Sequence, residues 1–334
     1  SLGWLNFGQG VIFGVGTLVM MIMSAIAVQN GTQTIGDFVF INVMLMQLSV
    51  PLNFIGFVYR EIRQGLTDIE QMFDLLEVHA EIEDAPHAKE LNIQSGAISF
   101  RDVHFAYDPA RPILKGISFD VPAGHTIAVV GPSGAGKSTI SRLLYRFYDV
   151  QQGSITIDGQ DVRDVTQKSL RAAIGMVPQD TVLFNDTIAY NIRYGRPSAS
   201  QEEVEQAAEI AQVDRFIKSL PEGYKAMVGE RGLKLSGGEK QMLTTCRTLM
   251  GDPDLIMIDE PTEGLAPLIV QQVGDLIARI AAAGVAILLV EQKLSIAMRI
   301  SKRVYVMGHG RVVFEGTPDQ LKANTAVRQE WLEV

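Results

Sequence analysis

Residues 131–139 read Gly-Pro-Ser-Gly-Ala-Gly-Lys-Ser-Thr, a G-x-x-x-x-G-K-[ST] run. The apolar segment TIAVV precedes it and the helical pattern TISRLLYRFY follows. A strand, a glycine-rich loop and a helix in that order make a phosphate cradle. Gly131, Ser133, Gly134 and Gly136 let backbone N–H groups turn inward, and the helix N-terminus adds a favourable dipole. Lys137 is expected to reach the β- and γ-phosphates, Ser138 to ligate Mg²⁺, and Thr139 to complete the loop. Strand and helix patterns alternate from Gly96 to Gly316, which predicts an α/β domain around a largely parallel sheet.

A second run supports the same chemistry. Residues 255–260, LIMIDE, read as an apolar strand ending in two acids. Asp259 is placed to hold Mg²⁺, and Glu260 to polarise the attacking water as general base.

The N-terminal part belongs to a different solvent. No Asp, Glu, Lys or Arg occurs in residues 1–36. The uncharged stretches 11–28 and 38–59, with the polar turn QNGTQTIGD between them, are each near the roughly 20 residues needed to cross a bilayer. Pro51 is expected to kink the second, which membrane helices tolerate. Arg60 and Arg63 follow, so the positive-inside rule puts that end in the cytoplasm. A pair of buried core helices is the alternative; a signal peptide lacks its basic n-region and a clear cleavage site. Asn30-Gly31-Thr32 matches a glycosylation sequon but reads more simply as a turn. The expected domains are a transmembrane part over 1–80, with helices at about 4–28 and 38–60 and a cytoplasmic extension to about 78. A linker over 81–95 and a nucleotide-binding domain over 96–334 follow. The chain has Ser at position 1 and reads as a fragment or trimmed form. Its net charge of −9 argues against nucleic acid as a partner. Its single cysteine, Cys246, excludes an intrachain disulfide.

Leu235-Ser236-Gly237-Gly238-Glu239 lies between the two phosphate-site motifs. With them it resembles the ABC ATPase family. The resemblance implies ATP and Mg²⁺ as ligands, and an α/β P-loop NTPase fold. That fold has a RecA-like core, an antiparallel β subdomain and a helical signature subdomain, here behind two transmembrane α-helices. It also implies that Tyr107 stacks on adenine, that Gln179 touches Mg²⁺, and that Ser236, Gly237 and Gly238 clamp the γ-phosphate of a second ATP-binding domain. A dimer, homomeric or heteromeric, in a cell (inner) membrane with the ATP-binding domain cytoplasmic is implied, completed by further transmembrane helices or a permease.

Residues 5–235 resemble an exporter half of the ATM class, through YREIRQGLTDIEQMFDLL and VGERGLKLSGG. Asn6, Gln9, Asn53, Gly56 and Arg60 fall where bacterial relatives contact glutathione-type ligands; helix bridging is the alternative for the Asn and Gln side chains. Residues 236–334, with DEPTEGLAPLIVQQV and AILLVEQKLSIAM, resemble instead the ATP-binding subunits of branched-chain amino acid and urea importers. The chain therefore reads as chimeric, joined near residues 236–241. In the exporter pattern A-H-R-L-S a switch histidine stands where Gln292 is found, and a D-loop aspartate where Ala266 is found. Gln292 can hydrogen-bond a γ-phosphate but cannot take a proton as imidazole does. ATP binding with slow hydrolysis is expected. The alternatives are an importer ATPase subunit and a non-catalytic nucleotide sensor.

Overall fold

The computed structural model describes residues 2–232 and 235–332; of residues 2, 3, 5, 6, 9, 49, 52, 53 and 231 it describes the backbone alone. Two units are distinguished, Ser1–Glu81 and Ile82–Val334.

The first unit is a helical hairpin of α1 (Leu2–Gln29) and α2 (Ile35–Glu77). Helix α1 runs out at Gly31, whose φ of +72° suits glycine. Helix α2 starts at a capping box: the Thr34 hydroxyl accepts from the Asp37 amide at 3.2 Å, and the Asp37 carboxylate accepts from the Thr34 amide at 2.8 Å. It stays helical through Pro51. Among the described residues, Gly10–Gln29 is long and apolar enough to cross a membrane, and Ile35–Leu48 is a shorter apolar helix. The expected continuation to 60 passes through residues 49, 52 and 53, whose side chains lie outside the described residues. Large apolar side chains of both helices, Ile12, Leu18, Val50 and Ile55 among them, are exposed. An apolar surface of that extent requires lipid or further helices against it.

The second unit begins with β1 (Ile98–Phe105), β2 (Leu114–Val121), β3 (Thr126–Val130), α3 (Lys137–Leu144), β4 (Gln152–Ile157), β5 (Gln160–Asp161), α4 (Gln167–Ala173) and β6 (Ile174–Val177). It continues through α5 (Ile188–Arg193), α6 (Gln201–Ile210), α7 (Asp214–Ser219) and α8 (Gly237–Met250). Then come β7 (Leu255–Asp259), α9 (Pro267–Ala282), β8 (Ala286–Glu291), α10 (Leu294–Ile300), β9 (Arg303–Gly308), β10 (Arg311–Gly316), α11 (Pro318–Ala323) and α12 (Thr325–Trp331).

Strands β3, β7 and β8 are buried at every position, as their unbroken apolar text requires of a sheet covered on both faces. They sit inside a six-stranded sheet of order β10-β9-β3-β8-β7-β6, parallel except for the edge strand β10. Side chains alternate between two cores with the period of a strand. Ala128, Val130, Ile256 and Ile258 face the helical side with Leu243, Cys246 and Leu276. Ile127, Val129, Leu255 and Met257 face the other side with Phe100, Phe119 and Ile140. That second core is closed by an antiparallel sheet of order β2-β1-β4-β5. Cys246 is buried, and burial pushes its thiol up, so it acts as a small apolar residue.

Residues 81–95 look like a linker by composition, yet from Ile82 onward they belong to the second unit. The physical reason is backbone satisfaction. Buried Arg146 donates to the Glu83 carbonyl at 3.0 Å, and the Asp84 carboxylate accepts from the Gln167 amide at 2.9 Å. Lys89 pairs with Asp164 and Thr166 through its backbone. The Asp158 carboxylate accepts the amides of Gln94, Ser95, Gly96 and Ala97 at 2.8–3.0 Å. Burial alone would raise the Asp158 carboxyl, but the Ser95 hydroxyl and these amides outweigh it and hold it well below the usual carboxylate range. A depressed folded value means the stabilisation is complete above the unfolded value, near 4, and fades as pH falls below it. Asp158→Ala is expected to cost about 2–3 kcal/mol at pH 7. Denaturant unfolding of both proteins at pH 7 and pH 3 checks this, with the difference shrinking at the lower pH.

Candidate functional site

The site lies at the C-terminal ends of adjacent parallel strands, where open α/β sheets hold ligands. Val130 pairs with Glu291, Asp259 with Val290 and Val177 with Ile258, so four strand ends form one row. The loop after β3, the loop after β6, the acids ending β7 and the turn after β8 are thereby brought together. A cavity of about 280 Å³ is lined by Tyr107, Ile113, Ser133, Gly134, Gly136, Lys137, Ser138, Thr139, Gln179, Glu260, Glu263 and Gln292.

The loop is shaped for close approach. A Cβ at Gly131 would collide with the Met307 carbonyl, and Gly136 has φ +98° with a Cβ position 2.8 Å from Leu114. Gly136 N-caps α3 with no side-chain bond to the first amides, which leaves them directed at the cavity. Lys137 is buried. Its ammonium donates to the carbonyls of Gly131 at 2.9 Å and Pro132 at 3.0 Å and lies 3.3 Å from the Glu260 carboxylate. Glu260 itself has φ +44°, a strained backbone for a long side chain, and its amide is fixed to the Val290 carbonyl at 2.8 Å.

The donor set at the strand end suits a hard divalent cation. The Ser138 hydroxyl donates to the Asp259 carboxylate at 3.4 Å, and Asp259 is 6% exposed. Burial, then the neighbouring Glu260 charge, pushes the Asp259 carboxyl up to about 6, against the opposing pull of Ser138, Lys137 and Arg142. A strand-end hydroxyl and a buried carboxylate are hard oxygen donors that fit Mg²⁺, which Ser138 and Asp259 would hold. The Gln179 amide donates to Glu260 at 3.4 Å and contacts the Glu263 carboxylate.

Tyr107 is half-exposed at the rim. Its ring meets Phe105 and Tyr148 edge-on at 4.8 and 5.0 Å, and its hydroxyl lies 3.4 Å from Thr139 and accepts from Arg142 at 3.2 Å. The held ring offers an aromatic surface beside the loop, suited to a nucleobase.

The signature residues stand apart from this cavity. Ser236 caps α8 reciprocally with Glu239, at 3.3 and 2.6 Å. Ser236 and Gly237 are exposed, while Gly238 is buried where a Cβ would collide with Ile269. In the first unit the Arg60 guanidinium folds over Gly56, 3.6 Å from where a Cβ would stand. The side chains of Asn6, Gln9 and Asn53 lie outside the described residues.

Two acids were missed by motif reading. Glu263 projects a second carboxylate into the cavity, and Glu291 is buried behind Gln292. Their signal in the sequence was a charge where the exporter pattern has a small residue. Glu263 repels a polyphosphate, so Glu263→Ser is expected to tighten nucleotide binding by about fivefold, near 1 kcal/mol. Titration with a fluorescent ATP analogue measures it.

A phosphate loop, a serine bonded to a buried aspartate and a strand-end glutamate on one parallel sheet define a P-loop nucleotide-binding protein. The ABC transporter family matches residues 114–263, so the chain carries an ABC transporter domain there. It is 56% identical over 266 residues to an iron-sulfur clusters transporter atm1, mitochondrial, of Aspergillus fumigatus, covering 79% of this chain and 37% of that protein. It is 46% identical over 332 residues to an ATM1-type heavy metal exporter of Novosphingobium aromaticivorans, covering 99% of this chain and 54% of that protein. A solved bacterial Atm1-family ABC exporter with ATP bound matches with TM-score 0.76 at 45% identity, covering 98% of this chain and 58% of that one. The chain thus spans about half or less of the curated relatives it matches. An iron-sulfur clusters transporter, a heavy metal exporter and a heavy metal tolerance protein align with 99–100% of the chain, tail included, so the importer reading of residues 236–334 is not supported. The text that carried it includes Glu263, Gly264, Ala266, Pro267 and Leu268, all exposed, where substitutions alter surface chemistry without altering the fold.

Proposed function

We propose that this chain is the ATP-binding and ATP-hydrolysing portion of a membrane exporter half of the Atm1 type. The observation that carries the reading is the single cavity that gathers Lys137, Ser138, Gln179, Glu260 and Gln292. Tyr107 takes the base, and the amides of residues 133–138 with Lys137 take the phosphates. Bound Mg²⁺, held by Ser138, Asp259 and Gln179, would neutralise phosphate charge. Glu260 orients the attacking water and accepts its proton. Lys137 moves from the loop carbonyls to the β- and γ-phosphates, which releases the Glu260 carboxylate for that task.

Ser236, Gly237 and Gly238 lie outside the cavity of their own chain, which supports a composite site closed by a second ATP-binding domain. Exposed apolar α1, with Arg60 and Arg63 following the apolar stretch within α2, supports a bilayer setting with the nucleotide domain on the cytoplasmic side and further transmembrane helices around the hairpin. The relatives' names, which print iron-sulfur clusters and heavy metal, support a metal-containing cargo. Gly56 and Arg60, with Asn6, Gln9 and Asn53, are the positions in this chain assigned to it.

Gln292 accepts and donates hydrogen bonds but carries no titrating proton near pH 7. Turnover is therefore slow, and Gln292→His is expected to raise it by about tenfold. Phosphate release from the full chain in lipid nanodiscs tests this; equal rates for both proteins contradict it.

A further inference from the structure

Glu291 ends β8 with a carboxylate only 1% exposed. A carboxylate so placed is costly unless its oxygens are bonded. Both are. One accepts from the Thr262 hydroxyl, and the other accepts the backbone amides of Gln292 at 2.8 Å and Lys293 at 2.9 Å. Thr262 is fully buried, and its carbonyl accepts from the Lys293 ammonium at 3.2 Å.

These bonds join two segments. One follows β7 and carries Glu260; the other follows β8 and carries Gln292. The Glu260 amide also donates to the Val290 carbonyl, at 2.8 Å. Glu260 holds a positive φ, which persists only where neighbours over-determine it. Glu291 does not line the cavity, whereas Glu260 and Gln292 both do. We infer that Glu291 is a positioning residue that sets the Gln292 amide against Glu260 across the γ-phosphate site. Its carboxylate clamps the switch backbone from behind, with Thr262 as the anchor on the Glu260 side. The inference rests on the hydrolytic function proposed above.

A double-mutant cycle on the full chain in nanodiscs tests it, reading kcat and KM for Mg-ATP and, separately, affinity for a fluorescent ATP analogue. Glu291→Ala is expected to lower kcat about tenfold with KM within about twofold. The same change in a Gln292→Ala background is expected to have almost no further effect, since coupled residues are non-additive. Thr262→Val, which keeps the shape and removes one anchor, is expected to act in the same direction and more weakly, and it serves if Glu291→Ala fails to fold. Additive losses, or a loss confined to KM, overturn the positioning role. A wild-type chain that binds nucleotide and releases no phosphate overturns the hydrolytic function and this inference together, which separates the two failures.

Discussion

Glu260→Gln is expected to lower phosphate release at saturating Mg-ATP by about 10²–10³-fold while nucleotide still binds. The amide keeps the size of the side chain and can still bond the water, but it cannot take the proton. The geometry argues for an effect on kcat rather than on affinity. Glu260 stands on the strand end next to Asp259, while the phosphate contacts come from the loop after β3. Its contact with Lys137 opposes nucleotide binding to the extent that a bound phosphate must compete for the ammonium. Affinity in Glu260→Gln is therefore expected to be unchanged or modestly higher. Parallel measurements of bound fluorescent nucleotide and released phosphate separate the two quantities. An equal fall in both sinks the assignment of Glu260 as general base.

Lys137→Ala is the second large effect, and it falls on binding. The ammonium is buried and holds three oxygens: two loop carbonyls and the Glu260 carboxylate. Its loss removes the charge aimed at the phosphates and leaves Glu260 facing them uncompensated. Nucleotide affinity is expected to fall by at least about 10²-fold, in line with 2–5 kcal/mol for one partner of a buried charge pair. The loop carbonyls also lose their donor, so the melting temperature is expected to drop. Calorimetric titration with ATP, alongside thermal unfolding, distinguishes lost contacts from lost fold. A variant that binds ATP as tightly as the parent contradicts the phosphate role of Lys137.

Much of the site was readable because its parts are local. The loop at 131–139 is one uninterrupted run between a strand and a helix, in which a Cβ at Gly131 would meet the Met307 carbonyl and Gly134 and Gly136 hold positive φ. The apolar runs at β3, β7 and β8 announced strands buried on both faces. What was not readable depends on strand order. Glu291 meets Thr262, and Gln179 meets Glu260 and Glu263, only because β6, β7 and β8 lie side by side. No spacing in the text encodes that adjacency. The segment at 81–95 deceived for a related reason, since from Ile82 onward it belongs to the second unit. Its polar composition suits a linker, but its amides are satisfied by Ser169, Gln160 and Asp158, more than 60 positions away. The tail deceived in the opposite way, since several of its importer-like letters, Ala266, Pro267 and Leu268 among them, fall on exposed positions.

The central claim is that ATP binds in the cavity at Lys137 and is hydrolysed there. Its most direct test places nucleotide binding and phosphate release on one preparation of the unmodified chain in nanodiscs, with Mg²⁺ present and then chelated. Saturable ATP binding with slow, Mg²⁺-dependent phosphate release is expected. Absence of saturable binding, or release that is indifferent to chelation, would contradict it.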